Sequence, residues 1–213
     1  KYDSISKVDS SILEVSILSN AFLDMSKSIY EYQQSVEQRT KELNIKNEEL
    51  FKLSITDKLT GLYNRVKLDS VLQENMSLSL RYGNIFSVII IDIDFFKKIN
   101  DNFGHQVGDD VLKECSYILS QNIRNVDTLG RWGGEEFLVV CPETLKDGAK
   151  DLAIKLNKAI KLHKFSTYPH SVTISVGVAS CSVNDLNYDD IISNADKALY
   201  EAKNNGRDRV EIF

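Results

Sequence analysis

The chain has 213 residues, of which 42% are hydrophobic and 27% charged, with a formal net charge of −5. That size suits one globular domain plus an extension and excludes two full enzyme domains, while the acidic balance excludes a nucleic acid drawn to a basic face. An anionic ligand must therefore be held by a few placed cations and backbone amides rather than by the overall field.

Residues 1–53 contain neither Gly nor Pro. Every seventh position from Val8 is apolar (Val8, Val15, Phe22, Ile29, Val36, Leu43, Leu50), and the companion row Ser11, Leu18, Met25, Tyr32, Arg39, Lys46, Leu53 is apolar at four of its seven places. Sustained heptads specify a left-handed coiled coil. An unbroken helix of about 50 residues is about 75 Å long, too long to bury its stripe on its own domain. A parallel dimeric coiled coil with a second copy is therefore expected over 1–53, since a fold-back hairpin would need turn residues that are missing. Arg39 and Lys46 weaken the seam where a switchable register would be useful. No run of about 18 apolar residues occurs, so no spanning segment is expected. The chain begins at Lys1 without a signal-peptide pattern and reads as the C-terminal piece of something longer, any membrane link lying in a missing upstream part.

From residue 54 the pattern changes. Helix is expected over 65–80, and a buried β-branched strand over 85–91, ending at Asp92-Ile93-Asp94. Helix follows over 107–123, then strands over 128–132 and 136–140 around the hairpin signal Gly133-Gly134. Helix over 149–162, strand over 172–179, helix over 188–203 and strand over 209–213 complete the order. It predicts an α/β fold over 54–213 with a mixed central sheet flanked by helices. Cys115, Cys141 and Cys181 are odd in number and far apart, which argues against a disulfide framework or a zinc site and for a reduced cytoplasmic setting.

Asp92 closes an apolar strand, and Glu135 and Glu136 follow the Gly-Gly turn. If the hairpin pairs beside the first strand, these carboxylates meet at one rim, where they repel unless protonated or sharing a cation. Hard oxygen ligands suit Mg²⁺ or Mn²⁺, completed by phosphate oxygens; spacing alone leaves open a solvated acidic turn without metal. Phe95, Phe96 and Lys97 come directly after the strand end, where backbone N–H groups and a cation favour phosphate. Lys203 and Arg207 bracket Asn204-Asn205-Gly206, a helix stop at which cations also serve as simple dipole partners. Asn100, His105 and Asp109 lie between that strand and the next helix, and Asp109 also reads as the helix's N-cap or first turn. Asp57 and Arg65 are expected to pair and to couple the long helix to the domain. His163 and His170 read as surface or packing residues.

Together these residues carry a resemblance. Arg131-Trp132-Gly133-Gly134-Glu135-Glu136-Phe137 is similar to the signature of the GGDEF family of diguanylate cyclases, in its GGEEF form. Asp57-Lys58-Leu59-Thr60-Gly61-Leu62-Tyr63-Asn64-Arg65 resembles the family's opening motif, and Asp92-Ile93-Asp94-Phe95-Phe96-Lys97-Lys98-Ile99-Asn100-Asp101, with Gly104-His105 and Gly108-Asp109, its substrate segment. Ser175-Val176-Gly177-Val178-Ala179 and Ala195-Asp196-Lys197-Ala198-Leu199-Tyr200 through Arg207 resemble the closing motifs, all in the family's order.

The resemblance implies a palm-like nucleotidyltransferase that condenses two GTP into cyclic di-GMP and two pyrophosphates. It implies that Asp92 and Glu135, with the backbone carbonyl of Ile93, hold two divalent metals, Mg²⁺ or Mn²⁺, that clamp the triphosphate and activate the 3′-hydroxyl. Glu135 would accept the proton and Glu136 support the metal shell. Amides around Phe95 and Phe96, with Lys97, Lys203 and Arg207, would cradle the phosphates. Asn100 and Asp109 would read guanine, with His105 beside them in the substrate segment. Each domain would supply one GTP, so two must face each other in a homodimer joined through the N-terminal helix. Arg124-Asn125-Val126-Asp127 resembles the family's RxxD site, where cyclic di-GMP would bind as product and inhibitor. Residues 14–29 resemble the end of the second helix of a HAMP relay module, which implies an upstream sensor and an anchor in the inner membrane of a bacterium, this domain lying on the cytoplasmic side. Three competing readings are a degenerate receptor for cyclic di-GMP or GTP, a pure dimerisation relay, and a related cyclase acting on adenine nucleotides.

Overall fold

The computed structural model describes residues 2–181, 185 and 187–213, with side chains from Glu14 onward except those of residues 48 and 49. The chain divides into two compact units, Lys1–Phe51 and Lys52–Phe213. Helix α1 is Tyr2–Ile55; a stretch without Gly or Pro offers the backbone no interruption. The heptad positions Val8 and Ser11 lie outside the described side chains. From Val15 to Leu50 the stripe is exposed, between 43% at Val36 and 71% at Leu18. Lys46 is held by Glu42 one turn earlier, Nζ to Oε1 2.8 Å.

The second unit contains α2 (Arg65–Tyr82), β1 (Phe86–Ile93), α3 (Phe96–Phe103), α4 (His105–Asn122), β2 (Thr128–Gly133), β3 (Glu136–Pro142), α5 (Lys146–Leu162), β4 (Ile174–Ser180), α6 (Tyr188–Asn204) and β5 (Val210–Ile212). The strands form one sheet in the order β2-β3-β1-β4-β5. Among the described residues β1 is antiparallel to both neighbours, and only β4 and β5 run parallel. This is the mixed, helix-flanked sheet that the order of elements predicts. β1 reads as a continuous apolar run because both of its faces are covered. Ile89, Ile91 and Ile93 join Phe137 and Val139 in a core shared with α3, α4 and α5. Val88 and Ile90 join Leu138 and Val140 in a second core with α2 and α6. On the second face a β-carbon at Gly177 would stand 2.1 Å from the Ala195 carbonyl oxygen and 2.4 Å from the Leu199 nitrogen, so the α6 backbone rests directly on β4.

The segment after β1 differs from expectation. It holds two helices, α3 and α4, separated only by Gly104. Phe95 (φ 57°) and Gly104 (φ 87°) each turn the chain within a single residue, so no polar loop marks either boundary. Asp109 therefore lies in the second turn of α4 and is neither its N-cap nor in its first turn.

Candidate active site

Asp92 stands opposite Glu136 on β3 and Ser175 on β4. Strand alternation puts it on the α6 side of the sheet, with Val88 and Ile90. There Lys203, in the last turn of α6, brings Nζ to 2.8 Å from Asp92 Oδ2. Asp92 is only 7% exposed. Burial pushes its carboxyl above the ordinary value; the Lys203 bond pulls the other way, and the charges of Glu135 and Asp94 add to the rise. Glu136 is also pushed up, first by burial, then by Asp92, with Lys203 opposing and Asp196 and Glu135 adding. Asp92 and Glu136, opposite each other in register, thus repel with a single ammonium paired to Asp92, a condition under which an added cation is favoured.

Among the described residues no three Asp, Glu, His or Cys side chains gather into a metal-holding group of their own. The donor chemistry nevertheless fits Mg²⁺ or Mn²⁺. Such ions take one or two carboxylates from a protein and complete their shell with water and phosphate oxygens. Ile93, the other residue expected there, is buried and paired in register with Ile174.

Beside this rim lies a cleft of about 440 Å³. Phe96, Lys97, Asn100, His105, Asp109 and Glu135 all line it, as do Asp101, Arg131 and Gly134. Pocketed volumes of a few hundred Å³ accommodate ligands of nucleotide size. Phe95 turns its ring outward, 51% exposed, between the Lys98 ammonium at 4.5 Å and the Arg207 guanidinium at 4.6 Å. Asp92, Ile93, Phe95, Glu136, Lys203 and Arg207 are not among the residues lining the cleft; Asp92 pairs with Lys203 and Phe95 with Arg207, while Glu136 lines a neighbouring cleft with Arg65, Trp132 and Asp196.

Asp57 does not pair with Arg65. The carboxylate receives Thr60 N and Oγ1 at 2.9 and 2.7 Å, and the Arg131 guanidinium at 3.2 and 3.3 Å. Arg65 lies instead over the Trp132 ring at 4.2 Å. Arg131 also donates Nε to the Gly134 carbonyl at 2.8 Å, and its backbone N to Tyr63 O at 2.8 Å. It therefore fastens the hairpin tip that carries Glu135. Asp94, buried, accepts from Thr173 Oγ1 at 2.7 Å, Ser175 Oγ at 2.6 Å and Asp208 N at 3.1 Å, which ties the turn at Arg207 to the end of β1. Local sequence carried no sign of either long-range anchor beyond the motifs that contain them.

Arg124 and Asp127 lie away from this cleft. Asp127 is buried and accepts Arg124 N at 2.9 Å, while the exposed Arg124 lines a separate cleft of about 330 Å³ with Gly148, Asp151 and Lys155. His163 pairs with Glu114 at 2.9 Å, and His170 meets Phe103 and Tyr168 edge to face, both as packing residues.

Residues 54–209 match the family model described as "Diguanylate cyclase, GGDEF domain". The chain belongs to the GGDEF family. Diguanylate cyclase A of Treponema denticola is 37% identical over 199 residues, covering 91% of this GGDEF chain and 53% of that protein. The coiled coil and GGDEF domain of DgcB from Caulobacter crescentus, solved in complex with c-di-GMP, matches at a TM-score of 0.82 and 25% identity, over 87% of this chain and 100% of that one. The active GGEEF domain of a diguanylate cyclase from Vibrio cholerae matches at a TM-score of 0.68 and 37% identity, over 70% and 96%. The chain spans only 28 to 53% of the length of the curated relatives it matches. Among the described residues, no helix is long and apolar enough to cross a membrane.

Proposed function

We propose that this GGDEF chain is a diguanylate cyclase, condensing two GTP into cyclic di-GMP with release of two pyrophosphates. The observation that carries the reading is the acidic rim of Asp92, Glu135 and Glu136 beside a cleft that already presents Asn100 and Asp109. Asp109 favours guanine for a physical reason. A carboxylate accepts both the ring N–H and the exocyclic amine of guanine, whereas adenine sets an acceptor against it and leaves a charge unpaired. Asn100 adds a carboxamide to the same wall, and His105 closes it. Lys97, Lys203 and Arg207, with the amides of Phe95 and Phe96, oppose the charge that grows on the leaving pyrophosphate. Glu135 receives the 3′-hydroxyl proton. Two Mg²⁺ or Mn²⁺ ions, held by Asp92, Glu135, Glu136 and the Ile93 carbonyl, would supply Lewis-acid charge to the triphosphate and the hydroxyl.

One domain holds one GTP, so the reaction requires a second copy facing the first. The exposed stripe from Val15 to Leu50 supports a parallel coiled coil over 1–53 that joins two catalytic domains, 54–213, and raises their effective concentration. Cyclic di-GMP returning to Arg124 and Asp127 would restrain the enzyme. An upstream sensor, linked through a HAMP-like end and reaching the membrane, would set its rate from the cytoplasmic side.

Incubation of the purified chain with GTP and Mg²⁺, followed by chromatography, tests the reading. Cyclic di-GMP is the expected product. No product with either Mg²⁺ or Mn²⁺ would leave a nucleotide receptor or a dimerisation relay, and a cyclic product from ATP in preference to GTP would favour the adenine-nucleotide alternative.

A further inference from the structure

We propose that Gly108 is a positioning residue for base recognition: the space left by its missing β-carbon is where the Asn100 carboxamide stands. This rests on the reading of the cleft as a guanine site. The backbone makes the contact unavoidable. Gly104 N donates to Asn100 O at 2.9 Å and closes α3, and the chain turns at once into α4, whose Gly108 comes back against Asn100. A β-carbon at Gly108 would lie 1.9 Å from Asn100 Oδ1, 2.9 Å from its Cγ and 3.3 Å from Phe96 Cζ. Gly108 has no positive φ, so conformational freedom does not explain a glycine inside α4. A glycine there costs about 1 kcal/mol relative to alanine, and space is the reason left for it. Among the described residues the Asn100 carboxamide makes no hydrogen bond to the protein. Shape alone therefore aims it into the cleft. The atom that an alanine would strike is the free end of a rotatable side chain, so the carboxamide swings away while the backbone stays.

The test is a double-mutant cycle on affinity for 3′-deoxy-GTP with Mg²⁺, an analogue that cannot condense. Wild type, Gly108→Ala, Asn100→Ala and the double variant are compared by calorimetry, each with a thermal melt. Gly108→Ala and Asn100→Ala should each weaken binding roughly three- to tenfold, the size of one hydrogen bond lost. The double variant should bind no more weakly than Asn100→Ala, because the carboxamide is already gone. Wild-type affinity in Gly108→Ala, or penalties that multiply in the double variant, overturns the proposal. If Gly108→Ala does not fold, the double variant decides. A folded double variant that binds like Asn100→Ala supports the proposal, and an unfolded one shows that Phe96 packing sets the requirement and overturns it. Wild type that fails to bind the analogue sinks the guanine site itself, and the proposal with it. Wild type that binds but makes no cyclic di-GMP from GTP sinks only the cyclase reading, leaving the cycle to judge Gly108.

Discussion

Lys203 Nζ stands 2.8 Å from Asp92 Oδ2, so an ammonium already covers the carboxylate that the proposed metals require. Removing one partner of a buried pair leaves an uncompensated charge. Lys203→Met should lower stability by about 1–3 kcal/mol, below the fully buried case because the lysine is partly solvated. Mg²⁺ alone should then raise the melting temperature of the variant more than that of wild type, the ion taking the lysine's place. EDTA should abolish wild-type turnover without moving its melting temperature. A variant as stable as wild type and indifferent to Mg²⁺ would contradict this account of the pair.

Arg131 joins Asp57 to the hairpin tip through two groups of contacts, to the carboxylate and to the Gly134 carbonyl. Arg131→Ala should cost about 1–3 kcal/mol and lower turnover, because Glu135 follows the carbonyl that is released. Arg131→Lys should recover little, since an ammonium cannot span both sites as the planar fork does. Thermal melts with turnover measurements separate these outcomes, and full rescue by lysine would count against a geometric role.

Glu114 provides a pH test away from the metal rim. Burial raises its carboxyl, but the hydrogen bonds from Ser166 and His163 outweigh that, and the net shift is below the ordinary 4.5. A carboxylate depressed in the folded state stabilises fully above its unfolded pKa, and the gain is lost as pH falls through the folded value. Glu114→Gln should therefore cost about 1 kcal/mol near neutrality, and the gap to wild type should close only below 4.5. Melts recorded as a function of pH check this; a gap that holds undiminished through strong acid would refute it.

Arg124→Ala should relieve inhibition by added cyclic di-GMP while leaving the initial rate unchanged. Asp127 is the poorer probe, because its carboxylate also closes the turn through Arg124 N and its loss would disturb the backbone. Progress curves with and without added product distinguish relief from a general change in rate.

The compact unit from Lys52 onward, expressed without the preceding helix, should bind GTP yet lose turnover on dilution, because encounter between domains becomes bimolecular. Sedimentation and rate measured across a concentration series provide the check. Undiminished specific activity of the monomer at high dilution would contradict a coiled-coil requirement.

Much of this was legible in the sequence, and the omissions have physical causes. The Ile-rich run of β1 and the Gly133-Gly134 turn announce themselves locally, so the sheet, the rim carboxylates and six of the residues lining the cleft could be named in advance. α3 was not separated from α4, because a single residue makes each turn and no cluster of breakers marks it. The expected Asp57–Arg65 pair failed for a different reason. Eight residues apart looks close along the chain, but Asp57 meets Arg131, 74 positions away, because the sheet order sets that contact. The anchoring role of Asp94 is equally invisible locally, its partners lying 79 to 114 positions downstream.

The alternation along β1 also says where the chain can change length. One inserted residue in that strand would send every later side chain to the opposite layer. Asp92 would then be buried under α4 and α5, its apolar neighbour would meet Lys203, and both cores would fail at once. Insertions and deletions should therefore be tolerated at exposed connections such as residues 83–85 between α2 and β1, while this strand admits no change in register.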